Sequence, residues 1–182
     1  MINISESEMQ DFVSGCFVKR FKKKELLSYP NSYPNEVFFV SSGLIRVCLA
    51  DQSGTEHTIH FAMDHQFICD YSAFMRKELS LYTLEALEST EVVVMPRSVI
   101  DWGYQNLKEG DKMGRLIAEF YFIYQDNRIQ NQYTRTPKER YDTITDVFPD
   151  IHNRVPQHLI ASYLGITPIH LSRLKKSAYP KS

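Results

Sequence analysis

No stretch of the 182-residue chain approaches the roughly 18 consecutive apolar residues that span a bilayer. The opening MINISESEMQDF has no basic start followed by an apolar run. These absences predict a protein with no membrane partner and no secretory signal, retained in the cytoplasm. Cysteine is scarce: Cys16, Cys48 and Cys69 form an odd, scattered set without a Cys-x-x-Cys pair. That pattern argues against a disulfide framework and a cysteine-rich metal cluster, and it predicts buried free thiols. Internal repeats and low-complexity segments are missing too. Net charge is nearly absent, at −1, which argues on its face against a nucleic-acid partner.

The average hides an asymmetry along the chain. Residues 1–134 carry 13 basic and 18 acidic side chains, whereas residues 135–182 carry 8 and 4. From Ile151 onward Arg154, Arg173, Lys175, Lys176 and Lys181 stand without any acidic residue, as a surface that faces phosphates requires.

From Tyr33 to Val94 the chain reads as short strands rich in Val, Ile, Phe and Thr, broken by turn residues about every ten positions. Strands are expected at Glu36–Val40, Leu44–Ala50, Glu56–Ala62, Thr83–Leu87 and Glu91–Met95. Gly54 supplies the hairpin turn and Pro96 the stop. Several such antiparallel strands predict a small barrel or jelly roll. After Arg97 the period changes. Met113, Leu116, Phe120, Ile123, Asn127 and Gln130 are spaced as one stripe of a helix running from about Gly110 to Asn131. The stripe suits a self-associating seam with Asn127 limiting register; packing against the β region would explain the same spacing, but the stripe outlasts what a small β domain needs to cover, which favours self-association. A further helix is expected in KERYDTITDVFPD, with Tyr141, Ile144 and Phe148 on one side and Pro149 at its end.

The last motif is VPQHLIASYLGITPIHLSRLKK, Val155 to Lys176. Small Ala161 stands where two helices must approach, and Gly165 where the backbone must turn left-handed. Thr167-Pro168 is a cap followed by a first-turn proline. Ile160, Leu164, Ile166, Leu171 and Leu174 have the spacing that packs the two helices together. This is a helix-turn-helix constellation, and its second helix keeps Ser172, Arg173, Lys175 and Lys176 on the remaining face. Arg173 suits bidentate contact with a guanine edge. Gln157, Lys175 and Lys176 suit phosphates, and Thr167, His170 and Ser172 suit either. Double-stranded DNA is the expected partner.

Taken together, FVSSGLIRVCLADQSGTEHTIHFAMDHQFI, ALESTEVVVMPRSVI and the stretch from Lys138 to Lys176 resemble the Crp/Fnr superfamily of transcription regulators. The resemblance implies an α+β fold in three parts. Residues 1–109 would form a cyclic-nucleotide-binding-like β-roll, residues 110–134 a dimerisation helix, and residues 135–182 a helix-turn-helix (winged-helix-like) unit. It implies a homodimer whose recognition helices lie about 34 Å apart on a palindromic operator. RNA polymerase is a further implied partner, and a small-molecule effector of unknown identity is another. The sequence departs from the family's cyclic AMP cassette, which pairs Gly-Glu with a later Arg-Ser or Arg-Thr. In CDYSAFMRKELSLYTLEALE, Asp70 takes the Glu position, and Ser80 with Leu81-Tyr82 stand where the arginine pair belongs. Without a counter-charge a buried cyclic phosphate is too costly, so a cyclic nucleotide is not expected. Asp70, Tyr71, Ser80 and Tyr82 remain the candidate effector pocket. No cofactor is expected.

A metal-dependent, cupin-like enzyme is the competing reading, prompted by His57, His60 and His65. Residues three apart on one strand face opposite ways, so His57 and His60 make a poor ligand pair and a non-enzymatic protein is expected.

Overall fold

The computed structural model describes residues 3–178. A capped N-terminal helix, α1 (Glu6–Ser14), precedes the strands β1 (Phe17–Phe21), β2 (Leu26–Ser28), β3 (Glu36–Ser42), β4 (Ile45–Ala50), β5 (Glu56–Ala62) and β6 (Phe67–Ile68). A short helix α2 (Tyr71–Arg76) leads to β7 (Tyr82–Ala86), β8 (Thr90–Pro96) and α3 (Arg97–Asn106). The strands form two antiparallel four-stranded sheets, in the orders β1-β8-β3-β6 and β2-β7-β4-β5. Their facing sides bury Phe38, Val40, Val92 and Val94 from the first sheet against Ile45, Val47, Leu84 and Ala86 from the second. Alternation along each strand places these residues inward, the condition for a β-sandwich core.

The turns follow from local chemistry. Gly54 holds φ +83° in the hairpin between β4 and β5. Gly43 holds φ +114°, and a Cβ there would stand 2.5 Å from Thr90 Oγ1, so no other residue fits. β4 therefore starts at Ile45 rather than Leu44. β8 stops at Pro96 as its missing N–H requires, with Pro96 still in register opposite Glu36. Cys48 is buried, whereas Cys16 and Cys69 are only half-buried, which corrects the expectation of three buried thiols.

The long helix α4 (Gly110–Thr134) runs three residues past its expected end. Thr136 then caps α5 (Pro137–Asp142) through a reciprocal box with Glu139. The single helix expected next is two pieces, because α5 ends at Asp142 and α6 (Ile144–Val147) restarts after Thr143, which caps both. Tyr141, Ile144 and Phe148 are nonetheless all buried. Three helices complete the described chain, α7 (Ile151–Arg154), α8 (Gln157–Leu164) and α9 (Pro168–Ala178). Among the described residues this C-terminal unit contains helices and no wing strands.

One hydrophobic cluster joins the two ends of the chain. It combines Leu44, Phe61, Met63 and Leu87 of the β region with Tyr141, Phe148, Ile151, Leu159, Ile160 and Leu171 of the C-terminal unit. Arg154 reinforces this junction, with Nη2 2.8 Å from the Gly43 carbonyl and 2.5 Å from Glu88 Oε1. Asp64 lies 3.6 Å from its Nη1. Arg154 is thus committed to the β-roll, which removes it from the phosphate-facing set. Lys181 lies outside the described residues.

Candidate nucleic-acid interface

The C-terminal helix pair is built as its sequence requires. Gly165 adopts φ +68°, and the Ile166 N–H donates to the Ala161 carbonyl at 3.0 Å, closing α8. Thr167 Oγ1 accepts from the His170 N–H at 3.2 Å, and its carbonyl accepts from Leu171 N–H at 3.0 Å. These bonds start α9 with Pro168 in its first turn. Ala161, Ile160, Leu164 and Leu171 are all buried between the helices, fixing how far α9 stands from α8.

Burying Leu171 leaves the opposite face outside. Ile169, Ser172, Arg173 and Lys176 recur at helical spacing and are all exposed, with Ile169 at 67%. Thr167 and His170 are exposed beside them, at the start of the helix. Thr167, Ile169, His170, Arg173 and Leu174 line one shallow surface groove. Lys175 is half-buried at the flank. Gln157, half-buried at the start of α8, has its Oε1 buried without a partner among the described residues. Five of the seven residues expected at the DNA surface therefore share an exposed region, and two stand at its edge.

The expected effector residues behave differently. Asp70 Oδ1 accepts from Ala73 N–H at 3.1 Å, capping α2, and its Oδ2 accepts from the Ser80 hydroxyl at 2.8 Å. Ser80 Oγ in turn accepts from Tyr82 N–H at 3.0 Å. Asp70 and Ser80 are buried and satisfied by one another, which makes them a brace between α2 and β7. Tyr71 stands outside this network, exposed and stacked on Phe74.

On α4, Leu116, Phe120 and Ile123 are 39%, 63% and 59% exposed, Asn127 is exposed and Met113 is half-buried. The stripe singled out in the sequence thus faces away from the chain's own β-roll. A neighbouring stripe that sequence reasoning missed makes the intramolecular contact. Tyr121 Oη donates to the Phe67 carbonyl at 2.7 Å and accepts from its N–H at 2.8 Å. Tyr124 Oη lies 3.0 Å from His60 Nδ1 and 3.1 Å from Tyr163 Oη. Arg128 lies over the Tyr163 ring at 4.8 Å. The 121, 124, 128 spacing is helical, but its polar tips hid it from a search for apolar periodicity.

The histidines are dispersed. His57 Nε2 is 2.8 Å from Asp51 Oδ2, His65 lies beside Phe39, and His60 is buried between Tyr124 and Phe148. Among the described residues no three His, Cys, Asp or Glu side chains are grouped to hold a metal. Burial, with the Arg128 charge as a lesser cause, holds the His60 imidazole down to about 3. In the unfolded chain it titrates near 6.5, so between these values the unfolded state binds the extra proton and stability falls as pH falls. Lowering pH from 6.5 to 5 should remove about 2 kcal/mol through this group. Urea titrations at the two pH values measure it, and His60→Gln should flatten that part of the slope.

Two sandwiched antiparallel sheets, a long helix with an outward stripe and a C-terminal helix-turn-helix define the fold class of the Crp/Fnr transcription regulators. Residues 18–106 match the family model of the cyclic nucleotide-binding domain. The global regulator CLP of Xanthomonas campestris, described as c-di-GMP responsive, shares the fold at TM-score 0.72 and 12% identity, over 96% of this chain and 91% of its own. FixK2 from Bradyrhizobium japonicum aligns at TM-score 0.75 and 15% identity, over 89% and 83%. A CooA variant from Carboxydothermus hydrogenoformans aligns at TM-score 0.68 and 18% identity, over 96% and 85%. No curated protein matches the chain in sequence. No helix among the described residues is long and apolar enough to cross a membrane.

Proposed function

We propose that the protein is a dimeric DNA-binding transcription regulator that reads a palindromic operator with α9. The observation that carries this reading is the exposed, acid-free face of Ile169, Ser172, Arg173 and Lys176 on a helix whose start and tilt are fixed by Thr167, Gly165 and Leu171. The outward stripe on α4 supports pairing of two chains, which places two such helices on one face of a duplex. Cyclic AMP is not the expected effector: no arginine stands at the cassette's arginine position, where Leu81-Tyr82 are found, and Asp70 and Ser80 are already bonded to each other.

The test is selection of bound sequences from a random duplex pool, followed by fluorescence anisotropy on the selected site. Binding should weaken steeply with salt. Arg173→Ala should cost about 1–3 kcal/mol and relax the preference at one base pair. Lys176→Ala should weaken all sequences alike and lower the salt slope by about 1. Absence of salt-dependent binding at low salt would overturn the reading.

A further inference from the structure

A cavity of about 400 Å³ lies between the C-terminal half of α4 and the helix-turn-helix unit. Its wall includes Tyr124 and Arg128 of α4, Arg135 and Arg140 around the start of α5, Asp146 of α6 and Tyr163 of α8. The volume is in the usual range for small-molecule sites, about 300–1,000 Å³. No residue of the β-roll lines it, so it is separate from the Asp70–Ser80 brace.

The charge in this cavity is unbalanced. Three guanidinium groups accompany one carboxylate, an excess of two positive charges. Arg135 Nη1 donates to Thr143 Oγ1 at 3.3 Å, and Arg140 donates to the carbonyls of Gln132, Arg135 and Leu164. The Nε atoms of Arg128 and Arg140 are nevertheless buried with no hydrogen-bond partner among the described residues. Buried guanidinium N–H groups without acceptors are costly unless an anion supplies them. A phosphate ester carries about −1.5 to −2 near neutral pH with three acceptor oxygens, which matches the excess positive charge of the wall. Arginine forks suit that geometry. Tyr124 and Tyr163 add two half-buried aromatic side chains to the same wall.

We propose that this cavity binds a phosphorylated small molecule, with Arg128, Arg135 and Arg140 on the phosphate. The molecule bridges the dimer helix and the helix-turn-helix unit. It also touches the hydroxyl chain from His60 through Tyr124 to Tyr163, which connects the β-roll to α8. Occupancy therefore fixes the angle at which α9 is carried; this consequence for operator binding rests on the regulator reading above, whereas the site itself does not.

Calorimetric titration of the full chain, without DNA and at constant ionic strength, tests the site with inorganic pyrophosphate and with AMP as probes. Saturable binding at one site per chain is expected. Arg128→Gln and Arg135→Gln should each weaken it by about tenfold, and Asp146→Asn should tighten it by removing the repelling carboxylate. Pyrophosphate binding without AMP binding identifies a simple phosphate site, and tighter AMP binding identifies a nucleotide site. No saturable binding of either probe up to about 10 mM, or binding indifferent to the substitutions, overturns the proposal. Arg135 and Asp146 are exposed, so they decide the matter even if Arg128→Gln does not fold. Because no DNA is present, failure here leaves the operator reading intact, and loss of operator binding in Arg173→Ala leaves this site intact.

Discussion

Phe148→Ala is expected to lower the unfolding free energy by about 3–5 kcal/mol. Phe148 is fully buried where the β-roll, α4 and the C-terminal unit converge. Its ring meets Phe61 edge-on at 5.6 Å and Tyr163 edge-on at 5.3 Å, with His60 at 5.8 Å. Removing it deletes the contacts of three aromatic neighbours at once, and the surrounding strands and helices cannot collapse into the space without moving against one another. The midpoint of urea unfolding should fall with little change in m. A double-mutant cycle of Phe61→Leu with Phe148→Leu should show coupling of at least about 0.5 kcal/mol, since the two rings touch across the junction of β-roll and helix-turn-helix. A loss below about 1 kcal/mol would mean that the two ends of the chain do not share one packed core.

That shared core explains which parts of the structure were legible in the sequence. The strands from β3 to β8, except the two-residue β6, carry period-2 alternation between turn residues, and they were placed within about two residues. β1 reads FVKRF, with four of its five residues exposed, and β2 has only three residues, so neither offers an apolar alternation. The helix-turn-helix was legible because Gly165, Thr167-Pro168 and the leucines each have a local reason for their place. Arg154 was misread for the opposite cause. Its role depends on Glu88, Asp64 and the Gly43 carbonyl, which are 66, 90 and 111 residues away and come together only through the fold. The Asp70–Ser80 bond is similar: a search for missing counter-charge flagged the segment, while the pairing that satisfies it needed the register of β7 beside α2. Long-range polar pairing leaves no periodic trace, whereas apolar packing does.

On the proposed reading of a dimeric regulator, Phe120→Asp combined with Ile123→Asp is expected to convert the protein from dimer to monomer and to weaken operator binding by two or more orders of magnitude. Both side chains are well exposed in the single chain, and Leu116 continues the same line. Burying each against a partner helix contributes about 1.5–3 kcal/mol per side chain, and an isologous interface buries every residue twice. An aspartate at either position therefore loses that burial on both chains and sets like charges against each other across the seam. Tyr121 and Tyr124, which dock α4 on its own β-roll, and Arg128, which packs on Tyr163 of α8, lie on the neighbouring stripe and are left in place, so far-UV circular dichroism should remain unchanged. Sedimentation should then show half the mass. Operator affinity falls because the second recognition helix no longer arrives at high effective concentration; linkage of two sites is worth about 10²–10⁴. The fall should be large on the full palindrome and small on an isolated half-site, a contrast that loss of a single base contact cannot produce. A variant that remains dimeric would move the interface off this stripe, and the operator would then have to accommodate a different spacing between its two helices.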